Sequence, residues 1–423
     1  MNTKVCQNKI AKHHPLSILF IAPTLPWPMN NGSRLRIANF LSIISRKNKV
    51  SAILIATPGE KVFVPESIQR QLDSCTIIRH SMRKSLSLAR WLISSKPYRN
   101  ARIMGSNLKT EIKNNLSLRK FDVIWCNFME TLEHLPEDLR RFSEGGPLVV
   151  LDQHNSETLW FKSFSSSSSL SLRVFGNENI RRLKTYEPRL HEKMDLCLCV
   201  SAVDLKISES LNSNAEYILN PSGVSVEDFD SNDASENNET ILFVGSLDVT
   251  MNQEAIRWFT TNIWKKIRLK KPNAKFTVVG RNPPKWIATL DGKDNISVHA
   301  NVPSVIPYYQ NSTIVVAPFE IGGGMKLKIL EAFAAKKPVV STSIGVSGLP
   351  VNNLEHAQIE NDPTLFSEKV IDQMNKPDKA MVCRAYNLAK NDFSWEALAG
   401  KAEQAVRNAI ESSKHSSEQI SND

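Results

Sequence analysis

Residues 322–345 read GGGMKLKILEAFAAKKPVVSTSIG, and the opening positions concentrate groups suited to a charged ligand. Gly322, Gly323 and Gly324 leave the backbone bare, so a ligand can come close to main-chain N–H groups. The chain has only 16 glycines in 423 residues, below the usual ~7%, so three in succession stand out. The spacing predicts a helix over 325–336, beginning at Met325. The free N–H groups and partial positive charge of its first turn suit a phosphate or diphosphate. Lys326 and Lys328 add charge at the same end. Glu331 follows Lys328 by three residues, which puts both on one helix face. A carboxylate there can accept two hydroxyl hydrogen bonds, as from a ribose. Read without a ligand, the same residues make a glycine-rich turn and a surface ion pair.

Such a turn must be carried by a strand before it and a helix after it, and the chain supplies that pattern twice. Apolar strand-like runs occur at 17–25, 50–57, 76–80, 122–128, 147–155, 196–202 and 216–220. Between the first two lies GSRLRIANFLSIISRK, with Leu35, Ala38, Leu41 and Ile44–Ser45 at helical spacing. The alternation restarts at 241–247, 276–280, 296–302, 313–319 and 338–343, with helical stretches between them, including 253–267. Strand-helix-strand order predicts parallel α/β sheets, here two doubly wound ones. Residues 225–241 are acidic, polar and without periodicity, and read as a linker whose Asp228-Phe229-Asp230 is a solvated loop rather than a metal motif. The serine run at 165–169 reads as a mobile loop, and 394–413 as an amphipathic helix before a polar tail.

Composition sets the outer limits. A chain of 423 residues exceeds one ordinary core, so two domains are expected. Its 41% apolar and 23% charged content is that of a globular protein. Cys197 and Cys199 alternate along a strand-like run and would share one sheet face, a poor geometry for a disulfide and not a zinc spacing. The six cysteines therefore read as free thiols in a reducing, cytoplasmic setting. No metal and no cofactor are expected. The formal charge is +10, and from Arg79 to Lys120 eleven Lys/Arg stand against Glu111 alone. With Leu86, Leu88, Trp91, Leu92 and Ile93 in the same stretch, the segment 79–120 suits an anionic membrane surface. A solvated basic face fits the charge equally well. Nucleic acid is not expected, because no stacking aromatics or recognisable binding module accompany the charge.

The stretch from APFEIGGGMKLKILEAFAAKKPVVSTSIGVSGL resembles the donor-site signature of retaining glycosyltransferases with the GT-B fold. FVGSLDVTMNQEAIRWF, VVGRNPP, VHANVPSVIPYY and LDQHNSET resemble that family as well, specifically bacterial polysaccharide and lipid-linked glycan enzymes of group 1. The likeness covers most of the chain, in order, and is weakest between 60 and 120. It implies two Rossmann-like domains facing across a cleft. The implied boundaries are 1–224 for an acceptor domain, 225–240 for a linker, 241–392 for a nucleotide-sugar domain, 393–413 for a helix crossing back, and 414–423 for a polar tail. The implied donor is a nucleoside-diphosphate sugar, and the implied acceptor a glycan or lipid-linked glycan.

The resemblance also assigns roles. Glu331 would hold ribose hydroxyls. The backbone of Gly322, Gly323, Gly324 and Met325 would approach the diphosphate and sugar, with Lys326 and Lys328 as phosphate neighbours. Gly280 and Arg281 would contact base or phosphate, and Val302 would meet the base. Asn31 and Gly32 resemble the acceptor-side glycine loop, and His154 the histidine lining the transferred sugar, with Asp152 supporting its loop. Two departures are visible. Many members carry a second glutamate eight residues before the first, where this chain has Gly323; Glu320 replaces it only if the loop bends inward. Many also place Arg and Lys after the strand at 241–245, where Ser246 and Met251 stand here, leaving Asn252 to donate a hydrogen bond and Arg281, Lys326 and Lys328 to neutralise phosphate. A GT-B nucleotide-sugar epimerase and a non-catalytic relative are the alternative readings.

Overall fold

The structure is a computed structural model that describes residues 14–29, 31–81, 83–165, 170–212, 214–229, 239–322 and 325–420, with side chains through 413 except that of Ser163. The chain forms two compact units, Met1–Leu219 with Ala402–Asp423, and Asn220–Lys401.

Among the described residues, the first unit is built on a seven-stranded sheet. Its strands are β1 (Ser17–Ala22), β2 (Lys49–Ala56), β3 (Ser74–Arg79), β4 (Val123–Asn127), β5 (Leu148–Gln153), β6 (Leu196–Cys199) and β7 (Glu216–Leu219). The order is β3-β2-β1-β4-β5-β6-β7, and every pairing is parallel. A parallel sheet covered on both faces needs unbroken apolar strands rather than alternating ones. That is why the runs ILFIA, VIWC and LVVL are buried throughout. On β6 the thiols of Cys197 and Cys199 do share a face, 3.7 Å apart in thiol hydrogen-bond contact and with no disulfide between them.

The second unit repeats the plan with β8 (Thr240–Val244), β9 (Lys275–Gly280), β10 (Ile296–Ala300), β11 (Ile314–Ala317), β12 (Val339–Ser341) and β13 (Gln358–Ile359), ordered β10-β9-β8-β11-β12-β13 and again parallel. In each sheet the strand order reverses once, between β1 and β4 and between β8 and β11. The carboxyl ends at such a reversal leave a crevice, the place where open α/β sheets bind ligands.

Several expectations need correction. The helix predicted over 325–336 is shorter, Leu327–Ala334, with Lys326 as its N-cap. Met325 and Lys326 therefore precede the first turn instead of forming it. The stretch 253–267 divides into helices Thr250–Asn262 and Trp264–Lys270, breaking at Ile263, whose φ of −118 departs from the regular helical value. The loop around Asp228 is not simply solvated: a short turn over Glu227–Phe229 drives Phe229 into the second unit's core, edge-on to Tyr309 at 5.5 Å. Burying that ring removes about 2 kcal/mol of apolar exposure. Asp228 is exposed, and Asp230 lies outside the described residues, as do 231–238 of the expected linker and 166–169 of the serine run. The carboxyl-terminal helix runs Trp395–Ile420, past the position where a tail was expected. Among the described residues, no helix is long and apolar enough to cross a membrane.

Candidate functional site

In the second unit, the β8/β11 crevice gathers a lysine, a glutamate and their partners from four separate elements. Lys328 and Glu331 both come from the helix Leu327–Ala334. The Lys328 ammonium donates to Asn252 Oδ1 at 2.7 Å, and Asn252 Nδ2 donates in turn to the Ser246 carbonyl at 2.8 Å. The same ammonium lies 4.5 Å from the Phe243 ring and 4.7 Å from the Phe319 ring, an arrangement in which ring faces partly replace water. Burial lowers its pKa to about 7, with Lys326 pushing the same way and Glu331 opposing. Glu331 Oε2 accepts from the Tyr309 hydroxyl at 2.7 Å, and that hydroxyl also reaches the Lys328 carbonyl at 3.2 Å. Burial raises the Glu331 pKa against the pull of Tyr309 and Lys328. No ion pair joins Lys328 to Glu331 among the described residues. The surface pair that their spacing allows is replaced by two charges held apart, each by a neutral partner.

Close backbone approach is built into this crevice. A Cβ on Gly245 would sit 2.7 Å from Lys328 Nζ and 2.9 Å from Asn252 Cγ. A Cβ on Gly280, at the end of β9, would lie 1.8 Å from the Gly245 carbonyl oxygen. Arg281 donates through Nε to Ser246 Oγ at 3.0 Å, so it shares the loop that holds Asn252. Gly322 has φ +108 and faces Met251, whose Sδ would be 3.1 Å from an added Cβ. Met325 packs partly buried against the core. Lys326 is buried, reaches the Ile344 carbonyl and Ser347 Oγ, and has its pKa lowered by desolvation. It therefore points away from the position of a free cation at the helix mouth. Gly323 and Gly324 lie outside the described residues. Glu320 is exposed. Val302 is not gathered with Lys328; it lines a cavity of about 510 Å³ with Thr277, His299 and Tyr308.

In the first unit, Asn127 and Phe128 at the end of β4 and Asp152 on β5 surround His154, whereas Asn31 and Gly32 are held at the start of the helix after β1. Asn31 caps the helix Gly32–Ser45 by accepting from the Arg34 N–H, and Gly32, the first helical residue, is exposed with open space beside it. His154 stacks on Phe128, ring centroids 4.0 Å apart and planes within 14°. Phe128 follows β4 with φ +64, a left-handed conformation rarely taken by a bulky residue. His154 Nε2 is 3.4 Å from Asn127 Oδ1 and 3.9 Å from Asp152 Oδ2. Burial lowers its pKa to about 3, so the ring is neutral at ordinary pH. Asp152 is itself closed into an ion pair with Arg36 at 2.8 Å, both side chains inaccessible. One turn further, Glu157 meets Arg99 at 3.0 Å, and Arg99 also covers the Trp160 ring at 4.5 Å. Desolvation nevertheless raises the Glu157 pKa to about 8 against the pull of Arg99, and Glu130 and Glu187 nearby push it the same way. Sequence spacing had no access to Tyr309, Phe128 or Arg99, each brought in from a distant element; Glu157 lies three residues past His154 within LDQHNSET, where no role was expected of it.

Residues 238–376 match the family described as Glycosyl transferases group 1. Across 365 residues the chain is 24% identical to a protein of Klebsiella pneumoniae named "Uncharacterized 44.6 kDa protein in cps region", covering 84% of this chain and 90% of that one. In fold it is similar to Alr3699/HepE of Anabaena, solved in complex with UDP, at TM-score 0.60 and 11% identity over 93% of this chain and all of that one. It is similarly close to the sucrose-phosphate synthase of Thermosynechococcus elongatus, at TM-score 0.61 and 14% identity over 95% of this chain and all of that one. The fold is thus of the GT-B class, and the matched segment together with the fold supports a glycosyltransferase.

Proposed function

We propose that this chain moves a sugar from a nucleoside-diphosphate sugar to a hydroxyl of a glycan or lipid-linked glycan, with retention of anomeric configuration. The observation that carries the reading is the pair of separately held charges at the β8/β11 reversal, Lys328 on Asn252 and Glu331 on Tyr309. A diphosphate beside Lys328 would restore the ammonium's full charge, and the free Glu331 oxygen can accept ribose hydroxyls. In the transfer, the bond from the anomeric carbon to the diphosphate oxygen breaks and its electron pair leaves with the phosphate. The acceptor oxygen bonds to the anomeric carbon from the same face, and its proton passes to the departing phosphate. Lys328 stabilises the charge that grows on that leaving group, where a preorganised cation lowers the barrier most. The neutral His154 suits a role beside an uncharged sugar. The relative named for a cps region supports a place in polysaccharide biosynthesis.

A thermal-shift screen with UDP-, GDP- and ADP-sugars tests the donor class, since a ligand selective for the folded state raises its midpoint. Glu331→Ala is expected to abolish the shift given by the active nucleotide sugar and to lower kcat/KM by about 100-fold or more. A full shift and wild-type kinetics in that variant would remove Glu331 from the site. Product analysis of donor incubated without acceptor separates transfer from epimerisation: an isomerised sugar would replace this reading with an epimerase.

A further inference from the structure

The helix Lys84–Ile93 is turned inside out relative to an ordinary surface helix. Its buried positions are Ser87 and Trp91, one turn apart. Its exposed apolar residues are Leu86, Leu88, Leu92 and Ile93, the last two 65% and 82% exposed. At 100° per residue Leu86, Leu92 and Ile93 fall on the side opposite Ser87 and Trp91, with Leu88 on the flank. The inner side is firmly held. Trp91 packs edge-on against Phe175 at 5.1 Å, and Arg182 lies 4.7 Å over the Trp91 ring. Arg182 also donates to the carbonyls of Trp91, Ser94 and Lys96, satisfying backbone groups at and beyond the helix's carboxyl end. The outward leucines are thus fixed in place by contacts made on the other side.

A second exposed apolar group lies at the start of the helix that carries Phe175. The helix Leu170–His191 begins with Leu170, Leu172 and Val174, all exposed. The charges interspersed with these two groups are cationic: Arg83 and Lys84 at one helix start, Arg173 at the other, all exposed. No acid occurs between Arg83 and Lys96 or between Leu170 and Asn177. Glu178, the next acid along the second helix, is closed onto Arg181 and Arg182. Apolar side chains standing proud beside Arg83, Lys84 and Arg173 match a bilayer whose headgroups are anionic, because the leucines can enter the acyl boundary while the cations meet lipid phosphate.

We infer that the outer face of Lys84–Ile93, joined by the first turn of Leu170–His191, docks on an anionic membrane surface. The contact differs from the one suggested by the sequence: Trp91 faces inward and anchors the helix to the unit, and the leucines make the insertion. The inference stands apart from the sugar-transfer reading.

The test is co-sedimentation of the full chain with vesicles of phosphatidylcholine, with and without about 30% phosphatidylglycerol. The wild type is expected to pellet with the anionic vesicles and to be released by salt. The doubly substituted L92S/I93S chain, altered only at exposed positions, should keep its unfolding midpoint and lose affinity by about tenfold or more. R83E/K84E should lose binding to the anionic vesicles as well, whereas Trp91→Phe should retain it. Equal background pelleting with both vesicle types would overturn the inference, as would L92S/I93S binding as tightly as the wild type. A concentration-dependent dimer that L92S/I93S abolishes, without vesicle binding, would overturn it in favour of a second copy covering this face.

Discussion

The two units handle buried charge in opposite ways. Around His154, opposite charges meet directly: Arg36 closes on Asp152. In the β8/β11 crevice they do not meet. Lys328 rests on an amide and Glu331 on a phenol, and both have pKa values moved toward the neutral form. A closed ion pair has already used its attraction and chiefly fixes the backbone that carries it. Two charges kept apart and poorly solvated retain theirs for whatever arrives. The contrast separates a scaffold from a receptor, although both lie at the carboxyl ends of similar sheets.

The strongest challenge to this contrast is Arg36→Ala. It strands Asp152 in a site with no access to water and is expected to cost about 3–5 kcal/mol, read by urea unfolding. A loss under about 1 kcal/mol would mean that the pair is not structural. Lys328→Ala addresses the other side. At pH 8 the wild-type ammonium is mostly neutral, since its pKa is about 7, so binding a nucleoside diphosphate should take up nearly one proton. Calorimetry in buffers of different ionisation enthalpy measures this, and Lys328→Ala should abolish the uptake and lower turnover. Tyr309→Phe keeps the ring against Phe229 but removes the hydroxyl from Glu331. The donor KM should rise about tenfold with kcat little changed; an unchanged KM would show that Glu331 needs no positioning. The smallest effect concerns pH. With the Glu157 pKa raised to about 8, the folded state holds more protons than the unfolded one between the two values. Stability should therefore fall as pH climbs from about 4.5 toward 8. Glu157→Gln should flatten part of that slope in unfolding midpoints measured at pH 5 and 8.5, and an unaltered slope would place the titration elsewhere.

Much of the architecture was legible because fully buried parallel strands leave an unmistakable trace. Runs such as SILFIA and TIVVA need no neighbours to be recognised. The two-residue β13, by contrast, has too few positions to make a pattern. The division at Ile263 was hidden because apolar residues continue across it at helical intervals. For the site, Gly322, Lys328 and Glu331 announced themselves through local chemistry, whereas Tyr309 did not, and Asn252 was expected as a donor by resemblance but not as the acceptor for Lys328. They lie 22 and 76 residues from the groups they hold, and no local signal links positions joined only by the sheet. Trp91 shows the limit of composition: a tryptophan among cations looks outward-facing until Phe175 and Arg182 are seen to enclose it.

The contact between Gly245 and Gly280 has a mechanical consequence. The carbonyl oxygen of one occupies the place where the other would carry its first side-chain carbon. The two loops consequently mesh like adjoining teeth, with no slack between them. Even a methyl group at 280 would have to push the neighbouring loop, and with it the amide that steadies the lysine. Position 280 would then govern the behaviour of a residue 48 places further along the chain without ever touching it.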